Sequence, residues 1–218
     1  LSKRYNKPVD DWVLLKHINM NKNINTIKIA ITSSAYKLNL SMLKMIASLQ
    51  DLYQDKIEFN YFIAGSRGTI FFKIASILYT ATNGRLKIFP HQLYEDYMLN
   101  LSKCHLFLSP FPFGMSNSLM DCVSQGLLGP CLSGSTIVQD CEQKMFKSLG
   151  LSKFICSNET EYLELMCELI NCFLNKEGQI IADIKSMPKP QSSIKNMSNW
   201  TDDDYQEFKE IFNSCINE

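Results

Sequence analysis

Residues 105–121 read HLFLSPFPFGMSNSLMD, and this stretch decides the fold. It begins with a short apolar run typical of a buried strand, passes through a loop rich in proline and phenylalanine, and enters a helix at about Ser116. Units with the same order of strand, turn and helix repeat along the chain from residue 26. The predicted strands cover residues 27–31, 57–64, 86–89, 105–109, 128–132 and 154–156. The predicted helices follow residue 39 and cover residues 69–82, 93–102, 116–125, 137–149 and 159–174.

Repeated βα units with short turns predict an α/β domain, a Rossmann-like doubly wound parallel sheet spanning residues 26–187. The flanks differ in composition from this domain. Residues 1–25 are polar but carry Trp12, which suits an N-terminal arm or linker that docks on another surface. Residues 188–218 begin with a Pro-Lys-Pro break and are predicted to form a C-terminal linker and a helix that begins after Thr201.

The composition excludes several classes of protein. The chain has 218 residues, is 45% hydrophobic and 20% charged, and balances 22 basic against 22 acidic residues. A neutral chain offers no net field for a nucleic-acid backbone, and no apolar run approaches the ~20 residues of a membrane span. The sequence starts at Leu1, with neither an initiator methionine nor a signal peptide, which leaves open that it is a fragment.

The eight cysteines and three histidines do not form a metal-binding pattern. All the cysteines lie at or beyond Cys104, and none belongs to a Cys-x-x-Cys pair. Several fall in apolar periodic stretches, as Cys122 and Cys172 do. This pattern favours buried free thiols in a reducing compartment, and hence a cytoplasmic protein without a resident metal or cofactor.

The turn after the first strand carries a candidate phosphate site. Neither Gly-x-Gly-x-x-Gly nor the P-loop pattern follows that strand, and no Gly-x-Ser-x-Gly elbow occurs anywhere, so dehydrogenases, P-loop NTPases and ordinary α/β-hydrolases are disfavoured. The turn instead offers Thr32, Ser33 and Ser34, followed by Lys37. Hydroxyls and an ammonium can cradle a phosphate. Taken alone, a cluster of helix-capping hydroxyls beside a solvated lysine explains the pattern better.

The loop of residues 110–114 carries a second candidate. Its prolines and glycine allow a close approach, and Ser116, Asn117 and Ser118 then open a helix whose N–H groups can receive a diphosphate. Asp121, one turn further in, can accept hydrogen bonds from ribose hydroxyls. The alternative is a polar helix cap with Asp121 as a partner of the helix dipole. Structure alone does not readily explain two phenylalanines on this loop.

The third candidate follows the strand at residues 86–89. His91 and its neighbour Gln92 could contact a base or a sugar, although a lone histidine more often has a structural role. Tyr94 and Tyr97 are spaced three residues apart on the next predicted helix. Core packing is the expected role for both tyrosines.

Together these turns resemble one family, the cytoplasmic bacterial N-glycosyltransferases that modify high-molecular-weight adhesins, which are related to the O-GlcNAc transferases. Residues 109–121 are similar to that family's Pro-Phe-Pro-Phe-Gly motif with its polar helix start and aspartate. Residues 125–134, QGLLGPCLSG, resemble the glycine-cysteine motif that follows. Tyr-Lys-Leu-Asn at residues 36–39, Pro-His at 90–91 and Phe-Lys-Ser-Leu-Gly-Leu at 146–151 also match in order, so the likeness covers residues 26–175.

The resemblance implies that this chain is the donor-binding half of a GT-B glycosyltransferase, which holds a UDP-sugar without a metal. By position, Lys37 would be the catalytic group at the phosphates with Ser34 beside it. His91 and Gln92 would lie near the nucleoside. The polar start of the helix, from Ser116 to Ser118, would take the diphosphate, and Asp121 the ribose. The partners implied are a UDP-sugar donor, a protein or glycan acceptor, and a missing N-terminal domain or partner chain.

A departure from the family keeps a second hypothesis open. Where the family carries Glu-x-His-x-His, residues 136–140 of this chain read TIVQD. The alternative is therefore a catalytically degenerate UDP-binding or scaffold domain that partners another glycosyltransferase chain. A flavodoxin-like or receiver-like regulatory domain is disfavoured, because no acidic cluster ends the first strand.

Overall fold

The central sheet is parallel and four-stranded. The computed structural model of the chain describes residues 9–20, 24–63 and 68–198. Strands β1 (Ile27–Ile31), β2 (Ile57–Phe62), β3 (Leu86–Phe89) and β4 (Leu106–Phe107) lie in the order β3-β2-β1-β4, with every neighbouring pair parallel. The β1 residues Ile27, Ile29 and Ile31 are fully buried. Ala30, on the opposite face of the strand, is fully buried as well, so β1 needs cover on both faces, which helices provide in an α/β domain.

Two short strands extend this arrangement. Strands β5 (Cys131–Leu132) and β6 (Ile155–Cys156) pair in parallel, and a single bridge joins Leu106 of β4 to Leu128. The strand predicted at residues 128–132 is therefore shorter in the structure. Pro130 has no N–H to give to a ladder. At Gly129 the backbone passes so close to Phe107 that an added Cβ would lie 2.1 Å from its carbonyl oxygen, so only glycine fits there.

Nine helices are described around the sheets. They are α1 (Val13–Asn19), α2 (Leu40–Tyr53), α3 (Thr69–Ala81), α4 (Tyr94–Leu101), α5 (Asn117–Ser124), α6 (Ile137–Ser148), α7 (Glu159–Asn175), α8 (Ile180–Ser186) and α9 (Pro190–Ser198). Asn39 and Asn158 cap α2 and α7 through side-chain oxygens, as expected for asparagine at a helix start. None of the described helices combines the length and apolar character that a membrane span requires.

The flanks of the domain pack on its core. Trp12 is 1% exposed, and its indole N–H donates to the carbonyl oxygen of Pro188 at 3.1 Å. Leu14 of α1 is also buried, so the segment around α1 docks on this domain itself. Pro190 does not break the chain but starts helix α9, because the first helical position needs no N–H. The predicted boundaries at residues 26 and 187 stay predictions, and the predicted turn at residues 65–67 and the helix after Thr201 lie outside the described residues.

The α/β prediction is confirmed by the parallel sheet and its helices. Because all four strands of the main sheet run in one direction, their carboxyl ends share one edge. The segments that follow β1, β3 and β4 are the three turns that the sequence singles out. The fold thus brings the candidate residues to the edge where ligands of open α/β sheets bind.

Candidate functional site at the carboxyl edge of the sheet

A cavity of about 630 Å³ opens at this edge. Its walls come from the ends of β1 and β2, the turn after β3, and the start of α5. All eight residues predicted from the sequence line it: Ser34, Lys37, His91, Gln92, Ser116, Asn117, Ser118 and Asp121. The structure therefore brings together residues up to 87 positions apart in the chain, while the role of each residue stays a prediction.

Lys37 lies in a short 3-10 turn (Ala35–Lys37) just after β1. Its ammonium donates a hydrogen bond to the carbonyl oxygen of Gly114 at 2.8 Å, and the Asn39 amide donates to that of Phe111 at 2.6 Å. The turn after β1 is thus tied to the proline-rich loop that follows β4. Among the residues that line the cavity in the described part of the chain, Lys37 is the only lysine or arginine.

The proline-rich loop is anchored more firmly in the core than the sequence indicated. Phe111 is 3% exposed and meets the ring of the buried Tyr162 edge-on, with 5.0 Å between ring centroids. Core packing therefore explains this phenylalanine, and the expectation that structure alone does not account for it was wrong. Phe113 is 37% exposed and contacts the exposed ring of Tyr36 beside Lys37.

Helix α5 begins without a side-chain cap. Ser116 occupies the capping position, but its hydroxyl accepts no hydrogen bond from the first turn. The alternative in which this serine serves as a polar cap is therefore not what the structure contains. The uncapped N-terminus carries the positive end of the helix dipole, and the side chains of Asn117 and Ser118 line the cavity beside it.

Asp121 is buried at the back of the cavity. It is 4% exposed, and the Tyr94 hydroxyl donates to its Oδ1 at 2.8 Å. Tyr97 lines the same wall, and burial, together with the nearby Cys122 and Asp121, raises the pKa of its phenol well above the ordinary value. Core packing was the expected role of both tyrosines, yet each also faces the cavity. The pairing of Asp121 with a residue 27 positions away has no signal in the sequence.

A buried hydroxyl lies at the end of β1. Ser33 is 3% exposed and borders the cavity. It lies beside the hydroxyl of Tyr61, whose pKa is raised to about 12 by burial and lowered in part by Ser33. In the described structure neither oxygen has a hydrogen-bond partner of ordinary geometry. A polar ligand in the cavity would satisfy such a group.

His91 and Gln92 form the opposite wall, in the turn after β3. His91 is exposed to the cavity, and Gln92 accepts a long 3.5 Å contact from the amide of Asn100 on α4. In the described ranges, no group of three or more histidine, cysteine and acidic side chains is arranged to hold a metal ion.

Sequence reasoning missed Glu142, on α6 beneath the proline-rich loop. Its side chain is 2% exposed, and Oε1 accepts hydrogen bonds from the Ser109 hydroxyl at 2.5 Å and the Met115 N–H at 2.7 Å. Burial raises the pKa of the carboxyl, while these hydrogen bonds, one from Cys131 and the charge of Lys37 oppose the rise. A signal was available, because Glu142 shares the buried face of α6 with Gln139 and Phe146.

Comparison with known proteins tests the resemblance that the sequence indicated. Over 146 residues the chain is 28% identical to two proteins of Actinobacillus pleuropneumoniae, from serotype 5b strain L20 and serotype 7 strain AP76, each named UDP-glucose:protein N-beta-glucosyltransferase. The resemblance predicted from the turns is confirmed. The match covers 66% of this chain and 24% of each relative, so the chain spans about a quarter of the N-glucosyltransferases it resembles. No protein-family model matches it.

A solved structure extends the likeness to the fold. An O-GlcNAc transferase of Thermobaculum terrenum, carrying one substitution, superposes with a TM-score of 0.59 at 13% identity, over 81% of this chain and 35% of that one. At this identity the comparison supports the fold alone. The fold is the Rossmann-like α/β fold that forms one half of the GT-B architecture, as expected.

The segment that departs from the adhesin N-glycosyltransferases follows Gly134. Thr136 and Gln139 form a reciprocal capping box at the start of α6, in which each side chain bonds the backbone of the other. Ile137 and Val138 are 69% and 50% exposed. Where the family carries acidic and histidine side chains, this chain therefore has a helix cap with exposed apolar residues beside it.

Proposed function

We propose that this chain is the donor-binding domain of a UDP-sugar-dependent glycosyltransferase. The observation that carries the proposal is the meeting, in one cavity, of an ammonium, an uncapped helix start and a buried carboxylate. The ammonium and the helix start are suited to a diphosphate, and the carboxylate is suited to ribose hydroxyls. The similarity to proteins named as UDP-glucose-dependent glucosyltransferases supports the same ligand, and a hexose as the transferred group.

In this proposal each wall of the cavity binds one part of the donor. Lys37 and the first N–H groups of α5 bind the diphosphate, with Ser34 beside them. Asp121 accepts hydrogen bonds from the ribose hydroxyls, and His91 and Gln92 lie near the uracil. The free hydroxyl of Ser33 adds a donor near the phosphates.

The chemistry is stabilisation of the leaving group. The bond between the sugar C1 and the diphosphate oxygen breaks, the electron pair stays on that oxygen, and UDP leaves with additional negative charge. Lys37 and the helix dipole stabilise this charge from fixed positions, which is the most effective form of electrostatic catalysis. The acceptor nitrogen or oxygen forms the new bond to C1, and its proton passes to the departing diphosphate or to solvent. Because an ammonium and backbone N–H groups supply the positive charge, we propose that no divalent metal is needed.

The acceptor and the compartment belong to the same proposal. The relatives' names favour a protein acceptor at asparagine, and a glycan already attached to protein is the other candidate. Since the chain spans about a quarter of those relatives, acceptor-binding groups would come from a second GT-B domain or a partner chain. Five of the seven described cysteines are buried free thiols, which supports a reducing cytoplasm as the location.

Isothermal titration tests the donor. The chain is titrated with UDP, UDP-glucose, UDP-galactose and UDP-GlcNAc, with and without EDTA. We expect UDP to bind with the same affinity in both buffers, and one sugar nucleotide to be preferred. Failure of all four ligands to bind at millimolar concentration would refute the donor site, and loss of binding in EDTA would refute metal independence.

A second candidate is a degenerate UDP-binding domain that acts as a scaffold for another chain. The capping box at Thr136 and the exposed Ile137 and Val138, in place of the family's histidine cluster, favour it. Release of UDP from UDP-glucose in the presence of an asparagine-containing peptide separates the candidates. If the chain joined to its acceptor-binding half binds UDP-glucose but releases no UDP, the scaffold is the correct candidate.

A further inference from the structure

Glu142 lies outside the cavity, yet it is bonded to the cavity's central loop. A buried carboxylate is costly, and an apolar side chain of similar volume often stabilises a protein equally well or better. Its hydrogen-bond donors are Ser109, Met115 and Cys131. Two of these three belong to the segment between β4 and α5, which accepts a hydrogen bond from Lys37 and leads into α5, the two phosphate-binding elements of the proposed function.

One peptide unit of this segment is held at both ends. The N–H of Met115 donates to the Glu142 carboxylate at 2.7 Å, and the carbonyl of Gly114, on the same planar unit, accepts from the Lys37 ammonium at 2.8 Å. Because the N–H and C=O of a trans peptide point in opposite directions, the carboxylate lies on the core side and the ammonium on the cavity side. The Glu142 carboxyl group and the Lys37 ammonium thus hold the peptide from opposite sides.

The position of Gly114 is matched to this clamp. The residue has φ +61°, and a Cβ there would lie 2.6 Å from Oε2 of Glu142. Only glycine lets the carboxylate approach the loop so closely. The clamped peptide ends at the Cα of Met115, one residue before Ser116 at the capping position of α5, so its orientation also influences the direction in which α5 starts.

We infer that Glu142 is a positioning residue of the donor site: through the Gly114–Met115 peptide, it fixes the Lys37 ammonium and the start of α5 where a nucleoside diphosphate binds. The inference rests on the proposed function and names a residue that acts through others without touching the ligand. It predicts that the contribution of Glu142 to affinity is confined to the diphosphate and depends on Lys37.

The test compares Glu142→Gln with wild type by titration with UDP and with uridine. Glutamine keeps the size of the side chain and one acceptor oxygen but removes the charge. We expect UDP affinity to fall about 10-fold, the difference between charged and neutral hydrogen bonds, while uridine affinity stays within twofold. Glu168→Gln is the matched control, because Glu168 also accepts a backbone N–H, from Ile180 at 3.1 Å, at a residue that does not line the cavity.

A double mutant separates positioning from general stability. In a Lys37→Met background, Glu142→Gln should reduce UDP affinity less than about threefold, because the ammonium that it positions is gone. Amide exchange at Met115, measured by hydrogen exchange without ligand, should rise at least about 10-fold in Glu142→Gln and not in Glu168→Gln.

The outcomes distinguish the two proposals. Equal losses of affinity for UDP and for uridine would overturn the role of Glu142 and leave the donor site standing. An unchanged ratio of UDP affinity to uridine affinity, with only a lower melting temperature, would do the same. A wild-type chain that binds no UDP would overturn the proposed function, and this inference with it.

Discussion

Replacing Lys37 with methionine separates the proposed phosphate contact from the lysine's structural contact. Methionine keeps most of the apolar stem and removes the ammonium. Among the residues that the structure describes, that group makes one hydrogen bond, to the Gly114 carbonyl at 2.8 Å, and two of its three donors have no partner there. The substitution therefore has two effects, one on the free protein and one on the complex.

The magnitudes of these effects differ. Loss of a partly exposed hydrogen bond costs about 1 kcal/mol of folding free energy, which lowers the melting temperature of a domain of this size by about 2–4 °C. Loss of a charge-assisted bond to the diphosphate costs about 1.5–3 kcal/mol, or roughly 10- to 100-fold in UDP affinity. Uridine has no phosphate, so its affinity should stay within twofold.

Isothermal titration with UDP and uridine, in buffer containing EDTA, measures both affinities, and thermal melts measure the stability. Lys44→Met is the matched control, since Lys44 is exposed on α2 and does not line the cavity. A parallel drop in the affinities for UDP and uridine would refute the phosphate contact, because Lys37 would then act through folding. An unchanged UDP affinity would place the phosphates elsewhere.

Three further predictions concern other parts of the molecule. Asp121→Asn should weaken UDP binding by about 1.5–3 kcal/mol and destabilise the fold by about 1 kcal/mol, since Tyr94 loses a charged acceptor. 2′-deoxy-UDP should bind the wild type more weakly than UDP does, whereas the variant should bind the two almost equally. A lower melting temperature without any change in the titrated UDP affinity would contradict the ribose contact. Gly114→Ala should cost about 2 kcal/mol or more in denaturant melts, because its φ is positive and the new methyl carbon would lie 2.6 Å from a buried carboxylate oxygen. Burial lowers the pKa of His105 to about 4, and its Nδ1 accepts a backbone N–H of β1, so on acidification the unfolded chain binds a proton before the folded chain does. His105 therefore contributes up to about 3 kcal/mol of stability, which is complete above pH 6.5 and is lost as the pH falls to about 4. His105→Gln should flatten that part of the curve of unfolding free energy against pH.

Periodicity alone predicted most of the framework. The bounds of β1 and β3 match the structure, because apolar strands between polar turns carry their own signal. The turns after these strands could be chosen as the site because parallel strands end at one edge. The position of each turn directly after a strand was thus enough to predict which segments meet.

The contacts within the site could not be predicted in this way. Glu142 meets Ser109 across 33 residues and Met115 across 27, and no local pattern specifies such pairings. Phe111 looked like a loop residue because its packing partner, Tyr162, lies on α7. Helix α9 was missed because proline normally ends helices, and only the first helical position accepts it without cost.

The hydrogen bond from Trp12 to Pro188 joins two residues that are 176 positions apart in the chain. The bond couples the two flanks, so a change that releases the indole also removes one contact of the segment before α9. Loss of a buried tryptophan side chain costs about 3–5 kcal/mol, a large part of what holds an ordinary domain together. The two flanks should therefore detach together, and a substitution of Trp12 should loosen the chain around Pro188 before other parts of the domain.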